Sequence, residues 1–151
     1  MEGGGAVLEK TNGGFLISQI KQIQGRTFEK LLDRAGIEEF NGAQGRILYV
    51  LWQADSVPIV ELSKKTGLAK TTLTSMLDRL EKGGLVRRSY DTSDRRQINI
   101  VLTEKAKLLN EEYERVSAQM SEIFYKGFTD DEIVQFEALL NKIIKNLIES
   151  E

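Results

Sequence analysis

The side chains best placed to do chemistry in this sequence are hydrogen-bonding and cationic ones set close together. Lys70, Thr71, Thr72, Ser75 and Arg79 fall within ten residues. A little further on, "DTSDRRQINIVLT", residues 91–103, crowds two acids and two arginines into its first six positions, and a clean apolar/polar alternation follows. Short hydroxyl side chains give and accept hydrogen bonds at close range, while Lys and Arg neutralise phosphate oxygens. That chemistry is recognition of a polyanion, not the making or breaking of bonds.

Two absences support this reading. The chain has no Cys, which excludes disulfides, a thiolate nucleophile and a thiol redox switch. It has no His, so the usual transition-metal ligand and the usual general base near neutral pH are both missing. An enzyme would have to rely on carboxylates, Ser or Lys, and no spacing arranges them. No cofactor and no metal site are expected.

The net charge of −2 argues against a polyanion partner, but it averages an asymmetry. From Pro58 to Thr103 there are nine basic residues against five acids, a local +4, and the remainder carries −6. A basic middle between acidic flanks marks a polyanion-binding module whose ends do different work.

The elements that must position these residues are legible in the periodicity. Leu16, Ile20, Ile23, Thr27 and Leu31 repeat at helical spacing and predict a helix over about 13–34, stopped near Gly36. Asn41 offers an N-cap to a second, largely apolar helix through Ile47, Leu48, Val50, Leu51 and Trp52. Gly42 and Gly45 weaken its intrinsic propensity, so packing must hold it. Pro58 suits the first position of a short helix, which Gly67 ends in a left-handed turn. "KTTLTSMLDRLEKGG" is the next helix, with Leu73, Leu77 and Leu80 on one edge. Two such helices around a tight turn make a helix-turn-helix candidate. "LVRRSY" and "QINIVLT" read as a hairpin. Thr103 then caps a helix carrying Leu109, Tyr113, Val116 and Met120, and Thr129 with Glu132 forms a capping box for the last. That last helix has an apolar stripe wider than one small lobe needs.

A helix pair followed by a hairpin is a winged helix. In that frame the helix at about 70–83 suits a DNA major groove, with Lys70 and Arg79 on phosphates and Thr71, Thr72 and Ser75 toward base edges. A hairpin tip is narrow enough for a minor groove, whose negative potential attracts Arg95 and Arg96. Asp94 stands two residues before Arg96 and can hold its guanidinium. The plainer alternatives are a solvated helix face and an ordinary polar turn.

"DRRQINIVLT", residues 94–103, matches the D-x-R-x-x-x-x-x-L-T signature of the multiple-antibiotic-resistance regulator (MarR) family, through Asp94, Arg96, Leu102 and Thr103. "ELSKKTGLAKTTLTSMLDRLEKGGLVRR" also resembles that family's helix-turn-helix run, and the likeness extends over about residues 13–149. The resemblance implies a mainly α fold with a small β-wing: a winged helix-turn-helix over 41–103, and dimerisation helices over 13–40 and 104–151 behind a flexible start at 1–12. It also implies a cytoplasmic homodimer on a pseudo-palindromic double-stranded operator. Such a dimer is expected to be a repressor released by a small aromatic or anionic effector that changes the spacing of the two recognition helices.

Ser75 departs from the larger polar or basic residue many members carry there, so base preference does not transfer. Members that sense oxidants through Cys, or zinc through His, are poor guides to a chain lacking both. Phe15, Arg26, Tyr49, Trp52 and Tyr113 are the candidate effector-pocket residues, and the plainer reading of each is core or interface. The rival functions are a winged-helix protein-interaction module without specific DNA binding and, more remotely, a helical carrier or enzyme. "MEGGGAVLEKTNGG" has neither the basic region nor the apolar stretch of a signal peptide, and no apolar run suits a membrane span.

Overall fold

The structure, a computed structural model, describes residues 10–54, 56–90, 93 and 96–151. The start expected to fray lies outside the described residues up to residue 9, as do Asp94 and Arg95. The chain divides into two compact units, one ending at Val116 and the other Ser117–Glu151.

In the first unit, α1 (Gly13–Arg34) is followed by α2 (Gly42–Trp52), β1 (Ser56–Pro58), α3 (Ile59–Thr66), α4 (Lys70–Lys82), β2 (Val86–Tyr90), β3 (Ile98–Leu102), α5 (Glu104–Leu108) and the first half of α6 (Asn110–Phe124). Leu31 and Leu32 bury the C-terminal end of α1, whereas Phe15, Leu16, Ile17, Ile20 and Ile23 of its N-terminal half stay exposed. The helix closes at Gly36, whose φ of 73° lets the Ile37 N–H reach back to the Leu32 carbonyl at 3.0 Å. Asn41 caps α2 in a reciprocal box with Gln44, at 2.8 and 3.0 Å.

The two glycines of α2 are explained by packing. A Cβ on Gly42 would lie 2.8 Å from the Glu29 carboxylate, and one on Gly45 would lie 3.0 Å from the Tyr113 ring and 3.2 Å from Phe40. Glu29 uses that close approach to accept the Gly42 N–H at 2.7 Å. Ile47, Leu48 and Leu51 are then fully buried.

The sheet is three-stranded and antiparallel, in the order β1-β3-β2. Here the sequence expectation needs correction. Pro58 is not the first helical residue but the last of β1, opposite Asn99, and occupies the N-cap position of α3. Its φ of −60° and ψ of 145° fit both roles, and as an edge-strand residue it owes no ladder N–H. The helix expected from Thr103 onward is also interrupted. The Ala106 carbonyl accepts both the Leu109 N–H at 3.1 Å and the Trp52 indole N–H at 2.9 Å, and the chain makes a tight turn at Leu109 between α5 and α6.

In the second unit the end of α6 meets α7 (Asp130–Ser150) through a turn at Gly127, φ 87°. Thr129 and Glu132 form the capping box, with bonds of 3.1 and 2.8 Å. Tyr125, Phe128 and Phe136 meet edge-to-face or tilted, with centroids 5.4–6.2 Å apart. No residue of α7 is buried, and Val134, Leu139, Ile143, Ile144, Leu147 and Ile148 are all exposed. No helix among the described residues is long and apolar enough to cross a membrane.

The Tyr125 hydroxyl donates to the Glu137 carboxylate at 2.6 Å. Burial, then that carboxylate, push the Tyr125 phenol up to about 12 from its ordinary 10.0. A raised value means that the fold favours the neutral phenol. The stabilisation is complete below pH 10 and disappears as pH rises from 10 toward 12. Unfolding of the wild type and Tyr125→Phe should therefore differ most below pH 10 and converge toward pH 12. A gap that stays constant across that window would mean the phenol and Glu137 are not coupled.

Candidate nucleic-acid interface

The turn between α3 and α4 is held by side chains of its own sequence. Gly67 takes φ 74° and its N–H bonds the Ser63 carbonyl at 2.9 Å. The Ser63 hydroxyl donates to the Leu68 carbonyl and the Thr66 hydroxyl to the Leu62 carbonyl, both at 2.7 Å. Thr66 Oγ1 in turn accepts the Leu68 N–H at 3.3 Å. With Leu62, Leu73, Leu77 and Leu80 fully buried, α4 has one fixed orientation.

Lys70, Thr71, Thr72, Ser75 and Arg79 are all exposed. At 100° per residue, Thr71, Ser75, Asp78 and Lys82 form the outermost line, opposite the three leucines. Thr72 and Arg79 lie on one shoulder of that line, and Thr74 and Glu81 on the other. Ala69 at the N-cap position provides no side-chain cap. The first-turn N–H groups of α4 therefore have no side-chain acceptor from their cap, an arrangement that favours an anion. All five polar residues picked out from the sequence are exposed, and Asp78, which was not among them, stands on the same line as Thr71 and Ser75.

The explanation for that acid lies on β2. The Arg88 guanidinium donates through Nη2 to Asp78 at 2.7 Å and through Nη1 to Glu81, and the Arg88 backbone N–H reaches the other Glu81 oxygen at 3.4 Å. Burial works against the Arg88 charge, but the two carboxylates outweigh it and hold the guanidinium above its ordinary range. Arg88 is thus the one basic residue of "LVRR" that is committed inside the chain. Arg87 points the other way and is exposed.

The wing is welded to the helix pair at its other end by Thr103. Its N–H bonds the Leu85 carbonyl at 3.1 Å, its hydroxyl donates to the Gly84 carbonyl at 2.6 Å, and it caps α5 through the Ala106 N–H at 3.3 Å. Leu102 beside it is buried. The L-T pair of the signature therefore seats the return strand. Arg96 is exposed just before β3 and shares a concave wall with Pro58, Val60, Glu61, Lys64 and Gln97, which places the wing base beside α3.

Of the candidate effector residues, the structure brings three together. Tyr113 is the hub, with ring centroids at 5.0 Å from Trp52, 5.9 Å from Phe28, 6.0 Å from Phe40 and 6.1 Å from Tyr49. Phe28 and Phe40 join the cluster without having been picked out from the sequence as effector-pocket residues. Phe15 is 71% exposed and Arg26 is exposed. No ring contact, hydrogen bond or ion pair joins either to the cluster among the described residues.

The helix pair, the three-stranded wing and the exposed cationic face define a winged helix-turn-helix protein. The MarR family model matches residues 40–98. The chain is 37% identical over 83 residues to the HTH-type transcriptional regulator TtmR of Methylorubrum extorquens (strain PA1); the match covers 55% of this chain and 41% of that protein, less than half the relative's length. A mutant of MarR from E. coli complexed with operator DNA superposes with a TM-score of 0.76 at 29% identity, over 86% of this chain and 91% of that one. BpsR of Bordetella bronchiseptica, solved to explain regulation of its DNA binding by 6-hydroxynicotinic acid, shares the fold with a TM-score of 0.78 at 24% identity, over 92% and 97%. Over the winged-helix residues the chain resembles the MarR-type transcriptional regulators.

Proposed function

We propose that the chain is a dimeric, sequence-specific DNA-binding regulator of the cytoplasm, a repressor released from its operator by a small aromatic or anionic ligand. The observation that carries this reading is the face of α4. Its apolar edge is buried, its polar edge is exposed, and its N-terminal amides lack a side-chain cap. In the bound state α4 lies in the major groove with Thr71, Thr72 and Ser75 toward the bases, and Lys70 and Arg79 on phosphates. Arg96 enters the flanking minor groove.

The apolar residues left exposed on α1 and on α7 are the surfaces a second copy would cover, since contiguous apolar patches on a lone chain are uncommon. A two-fold dimer requires a pseudo-palindromic site with half-sites about 34–36 Å apart. A ligand shifts DNA affinity only through its differential binding to the competent and incompetent dimer spacings. The ring cluster around Tyr113, open at the half-exposed Tyr49, is the place we assign to it.

The test is fluorescence anisotropy with a duplex that the wild-type protein selects from a randomised pool, against a scrambled duplex. Arg96→Ala should weaken operator binding by about 1–3 kcal/mol while the protein stays dimeric by light scattering. Thr72→Ala or Ser75→Ala should lower the preference for the selected duplex more than the affinity for the scrambled one. Equal, feeble binding of the wild type to both duplexes would reject the regulator reading in favour of a protein-interaction module.

A further inference from the structure

An acid at the centre of a DNA-reading face is a liability. Asp78 lies on the same line of α4 as Thr71 and Ser75, and Glu81 lies on the shoulder one turn along. Two carboxylates there would face the phosphate backbone uncompensated. Both are instead engaged by one side chain from the wing, Arg88, whose fork reaches Asp78 with one nitrogen and Glu81 with another. Arg88 is only 20% exposed, while its partners are 57% and 41% exposed, so the cation is drawn in beneath the acids.

α4 and β2 are joined by Gly83, Gly84 and Leu85. Gly84 takes φ 75° and the Leu85 N–H returns to the Leu80 carbonyl at 2.9 Å, which closes the helix and fixes the root of the strand. Beyond that root, the angle between helix and strand depends on contacts further along β2. Arg88 braces that angle, because its side chain and its backbone N–H both grip the last turns of α4. A small tilt at the root is amplified at the tip: over a five-residue strand of about 17 Å, about 10° of tilt moves the tip about 3 Å. A displacement of that size separates a hydrogen-bonded contact from none.

Building on the regulator reading, we propose that Arg88 is a positioning residue for DNA recognition. By clamping Asp78 and Glu81 it sets the angle between α4 and the wing, so that helix and wing engage adjacent grooves together, and it removes two anions from the reading face. The guanidinium geometry is essential, since an ammonium is a point charge without a fork to span two carboxylates.

The decisive variant removes the clamp without leaving charge behind: Arg88→Met with Asp78→Asn and Glu81→Gln. It loses two negative charges and one positive, so its net charge is one unit less negative than that of the wild type, and a purely electrostatic role predicts unchanged or tighter binding to every duplex. The clamp predicts instead that preference for the selected duplex over the scrambled one falls about tenfold or more, the scale of one lost base-pair contact. Affinity for the scrambled duplex should hold or rise, and dimer mass and melting temperature should stay near wild type. Arg88→Lys should fall between the two in preference. Wild-type preference in the triple variant would overturn the clamp. Failure of the wild type itself to enrich any duplex would overturn the regulator reading and the clamp with it, and the two failures are distinct in the same experiment.

Discussion

Raising salt from about 50 to about 200 mM should weaken DNA binding about a thousandfold, although the chain as a whole is acidic. The expectation follows from where the free cations are. Lys64, Lys65, Lys70, Arg79, Lys82 and Arg87 are exposed and make no ion pair among the described residues, whereas Arg88 is committed to Asp78 and Glu81. If three of those six meet phosphates in each protomer, a dimer makes about six contacts, and the release of their counterions gives a slope of about −5 in log–log form. The net charge of −2 has little weight here. Screening over about 8–10 Å confines each acid to its own neighbourhood, and most acids lie outside Pro58–Thr103. The slope should be nearly the same for selected and scrambled duplexes, because phosphates carry no sequence. Less than tenfold loss over that range would mean that the cationic face does not meet a backbone at all.

That prediction was reachable from the sequence only in part. The charge asymmetry and the polar face of α4 depend on residue order alone, so counting found them. Which arginine is free depends on a contact between positions ten apart, Asp78 and Arg88, across a turn. The sequence places Arg88 among nine equivalent cations, while the fold assigns it to the scaffold. The wing shows the same division. Leu102 and Thr103 stand out as a signature, but the reason for them, a hydroxyl that bonds Gly84 and caps α5, exists only in three dimensions.

Local chemistry predicted the helix ends best. Asn41 caps α2 and Thr129 with Glu132 forms the expected box, each satisfying backbone groups within four residues, and Gln44 completes a second box that the sequence reading did not include. β1 was missed because three residues carry no periodicity, and its pairing partner β3 lies over forty residues away. The turn at Leu109 was missed because Leu109, Tyr113 and Val116 keep a helical period straight through it. The Trp52 indole that shares the Ala106 carbonyl is fifty-four residues distant. Among the effector candidates, Phe15 and Arg26 were selected by residue type, which is blind to whether a ring is a hub or a surface side chain.

The Tyr113 hub yields the second large effect. Tyr113→Ala should cost about 3–5 kcal/mol of stability, the range for deleting a buried aromatic ring. Tyr113 is 9% exposed and touches four rings, and each aromatic pair adds about 0.5–1.5 kcal/mol beyond its area burial. The site has little means of collapsing into the void. Gly45 faces the ring at the distance where a single methyl already crowds it, 3.0 Å, and the Trp52 indole is tethered to the Ala106 carbonyl. Trp52→Phe, which keeps a ring and loses that tether, should cost about 1 kcal/mol. The measurement is urea unfolding at one fixed protomer concentration, since the stability of a dimer depends on concentration. A loss below about 1 kcal/mol for Tyr113→Ala would show a ring already facing open space, as the wall of a ligand pocket does. A loss in the expected range makes Tyr113 the packed floor beneath any ligand and leaves the half-exposed Tyr49 as the ring that meets it.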